Sequence, residues 1–223
     1  MLHLVTDIDP IHAATVHLYD SISSRLAQGE RVLWLASGGS GIQVDVALSH
    51  MLQDVDTTNL SVTLTDERFG PIGHADENWQ QMIDAGFSLP YATLYRPLVT
   101  RDIREVAKQL GDWVKQQIHQ ADFSIGLFGI GSDGHTAGIK PTPSATIDDE
   151  RWAVGFHGND HERITLTFRA IRSLDEVVVQ ASGQEKFDTI TSLLHENLPL
   201  DIQPAQILKS VPNATLYSDY KEE

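Results

Sequence analysis

The chain has no cysteine, which excludes disulfides, thiolate nucleophiles and cysteine metal sites. It is also short of positive charge, with sixteen Lys and Arg against thirty-one Asp and Glu and a formal net charge of −15. Such a balance repels nucleic acid and anionic membrane, because affinity for either comes mainly from basic side chains meeting phosphates. Neither partner is expected. No run approaches the ~18 apolar residues of a membrane helix. Met1-Leu-His-Leu-Val-Thr-Asp7 has no basic segment leading into an apolar one, so a cytoplasmic protein is expected. Repeats, low-complexity tracts and Pro/Gly/Ser-rich linkers are missing too. The 223 residues, 41% of them hydrophobic, are therefore read as one domain with a substantial core.

What is present is alternation of strand-like and helix-like segments, which argues for an α/β fold: a mostly parallel sheet flanked by helices on both faces, Rossmann-like. Asp9 before Pro10 reads as an N-cap with proline at the first helical position. Ile11, Ala14, Leu18, Ile22 and Leu26 then recur at helical spacing until Gly29. An apolar strand over Arg31–Ala36 ends in Ser37-Gly38-Gly39-Ser40-Gly41, followed by a helical pattern through Val44, Leu48 and Leu52. A second strand, Leu60–Thr65, delivers Asp66-Glu67-Arg68 to its carboxyl end. Helices are expected around Trp79–Ile83, over Ile103–Ile118 and over Gln184–Leu194. Further strands are expected at Phe123–Phe128, Trp152–Phe156, Ile164–Phe168, Glu176–Val179 and Ala214–Tyr217.

The strand Phe123–Phe128 runs into Gly129-Ile-Gly-Ser-Asp133-Gly-His135-Thr-Ala137, a glycine-rich turn that carries an aspartate and a histidine two residues apart. In parallel sheets the carboxyl ends of the strands share one edge. The loops 37–41, 66–68 and 129–136 should therefore meet in one cleft, where glycines let backbone amides approach a small phosphorylated or otherwise anionic ligand. Histidine as a residue type changes charge near neutral pH, so a histidine on a rigid turn, as at position 135, suits general-base work. A helix starting after the serine-glycine turn would expose amides to a phosphate, with Ser40 adding a hydroxyl. Arg68 at a strand end offers a planar fork to phosphate or carboxylate.

The set SGGS, TDERFGP with DEN downstream, GIGSDGHTAG, RITLTF and GQEK, in that order from about Ser37 to Lys186, resembles the 6-phosphogluconolactonase family within the glucosamine-6-phosphate isomerase/deaminase superfamily. The resemblance implies hydrolysis of 6-phospho-D-glucono-1,5-lactone, a small phosphorylated sugar lactone, with neither metal nor organic cofactor. It implies His135 as the base, Asp133 supporting His135 or the sugar, and Arg68 stabilising negative charge. Substrate binding would fall to Gly38, Gly39, Ser40, Gly41, Asp66, Asn78, Arg163 and Lys186. The oligomeric state is not legible.

The chain departs from the family where it reads Gly-Gly-Ser40-Gly-Ile for the usual GGSTP, at Lys140, and at Leu216-Tyr-Ser-Asp219. Two alternatives stay open at this stage. An amino-sugar phosphate deaminase would carry a glutamate five residues after the histidine, where this chain has Lys140. A sugar-phosphate-binding module without turnover would have no use for His135.

Overall fold

The computed structural model describes residues 2–141, 150–157 and 162–222. In chain order it runs β1 (Leu2–Thr6), α1 (Pro10–Ala27), β2 (Val32–Ala36), α2 (Ile42–Met51), β3 (Leu60–Leu64), β4 (Asp66–Arg68), α3 (Asn78–Asp84), β5 (Thr93–Leu94), α4 (Ile103–Gln120), β6 (Phe123–Gly129), β7 (Ala153–His157), β8 (Glu162–Leu166), α5 (Phe168–Arg172), β9 (Glu176–Gln180), α6 (Phe187–His195) and β10 (Asn213–Ser218). Short 3-10 turns precede α2 (Gly39–Gly41) and α6 (Gln184–Lys186), and a longer one spans Pro204–Ser210. Among the described residues no helix is long and apolar enough to cross a membrane.

Seven strands form a parallel sheet in the order β1-β10-β9-β6-β2-β3-β5. Its strands alternate between two cores. Val32, Trp34 and Ala36 of β2 face a cluster built with α1, α2 and α3. Leu33 and Leu35 face another built with α4, α5 and α6. All five residues of β2 are buried, which is why this strand reads as an unbroken apolar run. Asp9 opens α1 as its sequence suggested, accepting the His12 N–H with Pro10 next in line. The chain turns out of this helix at Gly29, whose φ is +78°.

Four points of the sequence reading need correction. Asp66–Arg68 is a short strand, β4, and the expected strands at 152–156 and 164–168 are not in the parallel sheet. The second of them pairs antiparallel with the first and with β4, in the order β4-β8-β7, as a second small sheet. An apolar run announces a strand but not its partners. Phe168 also lies outside its strand: the Thr167 hydroxyl accepts the Ala170 N–H and starts α5. The helix expected from Gln184 is a 3-10 turn up to Lys186, with the α-helical part beginning at Phe187. The edge strands β1 and β5, α5 and the 204–210 turn carried no signal strong enough to predict.

β2 leads by α2 to β3 on one side, while β6, its other neighbour, pairs with β9. The strand order thus changes direction between β2 and β6, the place where open α/β sheets form a crevice. Four adjacent strands, β9, β6, β2 and β3, end there together. β3 passes through Thr65 into β4. The Thr65 N–H bonds to Ala36 O in the parallel sheet, and Thr65 O accepts the Leu166 N–H from the small one.

Candidate active site

The four strand ends enclose a cleft of about 350 Å³ lined by residues of all four loops, a size within the ~300–1,000 Å³ usual for small-molecule sites. Of the residues singled out in the sequence, Gly38, Gly39, Ser40, Asp66, Arg68, Asn78, His135, Arg163 and Lys186 line it. Asp133 stands behind His135, and Gly41 lies beneath the rim, packed against Ser37. Ser37, Ser132, Ala137 and Glu185 line the cleft as well but were not singled out. Each lies within two positions of a marked residue, and nothing in its own type distinguishes it. Lys140 is not among the lining residues.

The glycine-rich turn after β6 is a preformed mount. Asp133 Oδ1 accepts the His135 N–H at 3.1 Å and lies 2.5 Å from Nδ1 of the ring. Gly131 and Gly134 close the turn, with Gly131 N–H donating to His135 O and Gly134 N–H to Gly131 O, both at 2.9 Å. Gly134 adopts φ +83°, which glycine does without steric cost. A Cβ at Gly131 would overlap the imidazole. From behind, Thr189 of α6 donates to Ser132 O at 2.7 Å and Ala205 N–H donates to Gly134 O at 3.0 Å. Burial works against ionisation of Asp133, yet its bonds and charge contact with His135 hold the carboxyl below the usual range.

β4 alternates as a strand must. Asp66 and Arg68 face the cleft while Glu67 points away and is fully buried. Opposite them on β8, Asp66 pairs with Thr165 and Arg68 with Arg163. Two guanidinium side chains thus stand across from one another at the cleft wall, an arrangement that is unfavourable unless negative charge lies nearby. Arg68 also donates to Asp76 O at 3.4 Å. Burial pushes the Asp66 carboxyl up, against the pull of Arg163, His135, Thr65 and Arg68, so its negative charge is discouraged where an anionic ligand would sit. Asn78 is buried, its Nδ2 donating to Asp66 O at 3.1 Å while Oδ1 has no partner among the described residues.

On the opposite rim the 3-10 turn at Gly39–Gly41 runs into α2, and the first amides of a helix have no intrahelical acceptor. Only a residue without a side chain fits at Gly38, where a Cβ would overlap Asn78. Lys186 ends the turn that leads into α6.

Every rim loop is fastened by a carboxylate that accepts a main-chain N–H. Asp45 holds Ser37 at 3.0 Å, Glu67 holds Arg68 at 2.7 Å, Asp133 holds His135, and Asp219 holds Gly183 at 3.1 Å. This answers the charge problem posed by the composition. Acidic groups of an acidic chain are turned towards the backbone, leaving Arg68, Arg163 and Lys186 against Asp66 and Glu185 in the cleft wall.

Residues 8–217 match the family model described as glucosamine-6-phosphate isomerases/6-phosphogluconolactonase. Among named relatives, the 6-phosphogluconolactonase of Helicobacter pylori strain J99 is 23% identical over 210 residues, covering 92% of this chain and 91% of its own length. That of Neisseria meningitidis serogroup A is 29% identical over 195 residues, covering 78% and 80%. Among solved structures, 6-phosphogluconolactonase from Trypanosoma brucei superposes with a TM-score of 0.78 at 19% identity, over 98% of this chain and 96% of that one. A monomeric glucosamine-6-phosphate deaminase superposes with a TM-score of 0.77 at 18% identity, over 97% and 96%. Likeness at these structural identities speaks for the fold, which hosts both reactions.

Proposed function

The chain belongs to the glucosamine-6-phosphate isomerase/6-phosphogluconolactonase family, and from that membership we propose that it hydrolyses 6-phospho-D-glucono-1,5-lactone to 6-phosphogluconate, as a cytoplasmic enzyme of the oxidative pentose phosphate pathway. The observation that carries the reading is the Asp133–His135 pair, mounted on a rigid turn in a cleft whose far wall holds Arg68 and Arg163.

With Nδ1–H donated to Asp133, Nε2 of His135 carries the lone pair and faces the ligand. Nε2 takes a proton from water as the water oxygen bonds to C1 of the lactone. The carbonyl oxygen becomes an oxyanion, which the guanidinium of Arg68 stabilises. The bond from C1 to the ring oxygen then breaks, and the imidazolium returns the proton to that oxygen, leaving an open-chain acid that ionises. The phosphate is held by the amides of Gly38–Gly41, the Ser40 hydroxyl, Arg163 and Lys186. Asp66 and Asn78 bind the sugar hydroxyls, Asn78 through its unpartnered Oδ1.

The test is a coupled assay on freshly made lactone, corrected for spontaneous hydrolysis, beside glucosamine 6-phosphate with ammonia detection. Lactone-dependent turnover without ammonia is expected. Ammonia release, or ligand-induced thermal stabilisation with neither activity, would overturn the reading.

A further inference from the structure

Glu67 is absent from the cleft wall and has no solvent exposure, yet it touches the main chain of two residues that line the cleft. Its Oε1 accepts the N–H of Arg68 at 2.7 Å and the N–H of Asn78 at 2.6 Å. Its Oε2 accepts the N–H of Trp79 at 3.0 Å. Asn78 and Trp79 are the first residues of α3, whose opening amides need acceptors from outside the helix. Nine residues separate Arg68 from Asn78, and one oxygen atom closes that span.

We propose that Glu67 is a positioning residue for the reaction, fixing Arg68 and Asn78 relative to each other by holding both backbone amides on one buried oxygen. The inference rests on the proposed lactone hydrolysis for its consequence and on the hydrogen bonds alone for its geometry. Burial of a carboxyl is tolerated when its oxygens are occupied, and here the occupants are the two ends of a substrate-facing loop. The arrangement survives protonation. A proton on Oε2 displaces only the longest of the three bonds, while Oε1 remains an acceptor for Arg68 and Asn78.

Nearby groups reinforce this anchoring from the same side. Glu77, also fully buried, holds the Gly73 N–H at 2.5 Å within the loop and is clasped by Arg96 at 2.6 and 2.7 Å. The Asn78 side chain in turn donates to Asp66 O, so β4 and the start of α3 are joined at two places.

Two variants test the proposal, with amide hydrogen exchange read beside KM for the lactone and affinity for 6-phosphogluconate. Glu67→Asp draws the carboxylate back by one methylene and cannot span both amides. Exchange at Arg68 and Asn78 should quicken, and product affinity should weaken about ten- to hundredfold, the cost typical of misplacing a binding group by ~1 Å. That weakening should largely vanish in an Arg68→Ala, Asn78→Ala background, whereas a merely structural defect would persist there. Glu67→Gln keeps an acceptor at Oε1, so Arg68 and Asn78 should stay protected while Trp79 does not, with product affinity within about threefold of the original. This pattern decides the matter even if Glu67→Asp fails to fold. Normal product affinity in Glu67→Asp, undiminished loss in the double-alanine background, or unprotected Arg68 and Asn78 amides in Glu67→Gln would overturn the proposal. If the unmodified protein neither hydrolyses lactone nor binds product, the functional reading fails, and exchange at Arg68 and Asn78 still judges the geometry.

Discussion

His135 and Asp133 are joined twice through one atom: Oδ1 of Asp133 takes both the backbone N–H of His135 and the Nδ1 side of its ring. The carboxylate therefore fixes both the height of the histidine in the turn and the tilt of the imidazole. Replacing His135 by Asn should lower kcat by ~10²–10⁴-fold, the range of general-base assistance, with little change in KM. Steady-state kinetics on lactone, with product affinity by calorimetry, check this; unchanged kcat would remove His135 from the chemistry.

Gly131→Ala separates geometry from chemistry. The new methyl would occupy the space of the imidazole, displacing the base without removing it. kcat should fall about a hundredfold while the melting temperature moves by only a few degrees, since the turn is anchored elsewhere by Thr189 and Ala205. A fully active Gly131→Ala protein would show that the ring position is not tightly set.

Arg68 and Arg163 stand in register across β4 and β8 and both line the cleft, so an anionic ligand there should meet two guanidinium groups. Inorganic phosphate and 6-phosphogluconate should each raise the melting temperature, less so as salt increases. Arg68→Met should abolish most of that rise. Thermal shifts across a salt series measure both, and a ligand shift that is independent of salt would contradict the electrostatic account.

Burial raises the Glu67 carboxyl from 4.5 to about 8, against the hydrogen bonds from Trp79, Asn78 and Arg68. Between those two pH values the folded protein retains a proton that the unfolded chain has released, so stability is greatest below the window and falls as pH rises through it. Asp45 and Asp66, also raised by burial, act in the same direction. Urea unfolding between pH 4.5 and about 8 should show this decline, and Glu67→Gln should flatten it. A stability that rises with pH across the window in the unmodified protein would contradict this.

The central strands and the long helices were legible because their signals are local: an unbroken apolar run at β2, a cap and proline at the start of α1, a periodic stripe along α4. The meeting of loops 37–41, 66–68 and 129–136 was legible too, since parallel strands put their carboxyl ends together. The antiparallel sheet was not, because Ile164 takes its partner from a three-residue strand far back in the sequence that reads as a polar loop. Glu67 escaped for a related reason. Between two residues marked as ligand-facing, a glutamate looks solvent-exposed until the pleat of β4 shows that it points inward. Asp45, buried under the Ser37 loop, was hidden in the same way by the helical pattern around it.

The pleat of β4 also ties the sign of the cleft's charge to strand register. If β4 slid along β8 by a single position, every side chain would exchange faces: Glu67 would turn to the ligand and Arg68 into the protein. An insertion or deletion of one residue at Thr65 would carry the same reversal, replacing a guanidinium with a carboxylate in the cleft wall. Such a lesion would create a repulsive pocket without substituting any of the residues that now line the cleft.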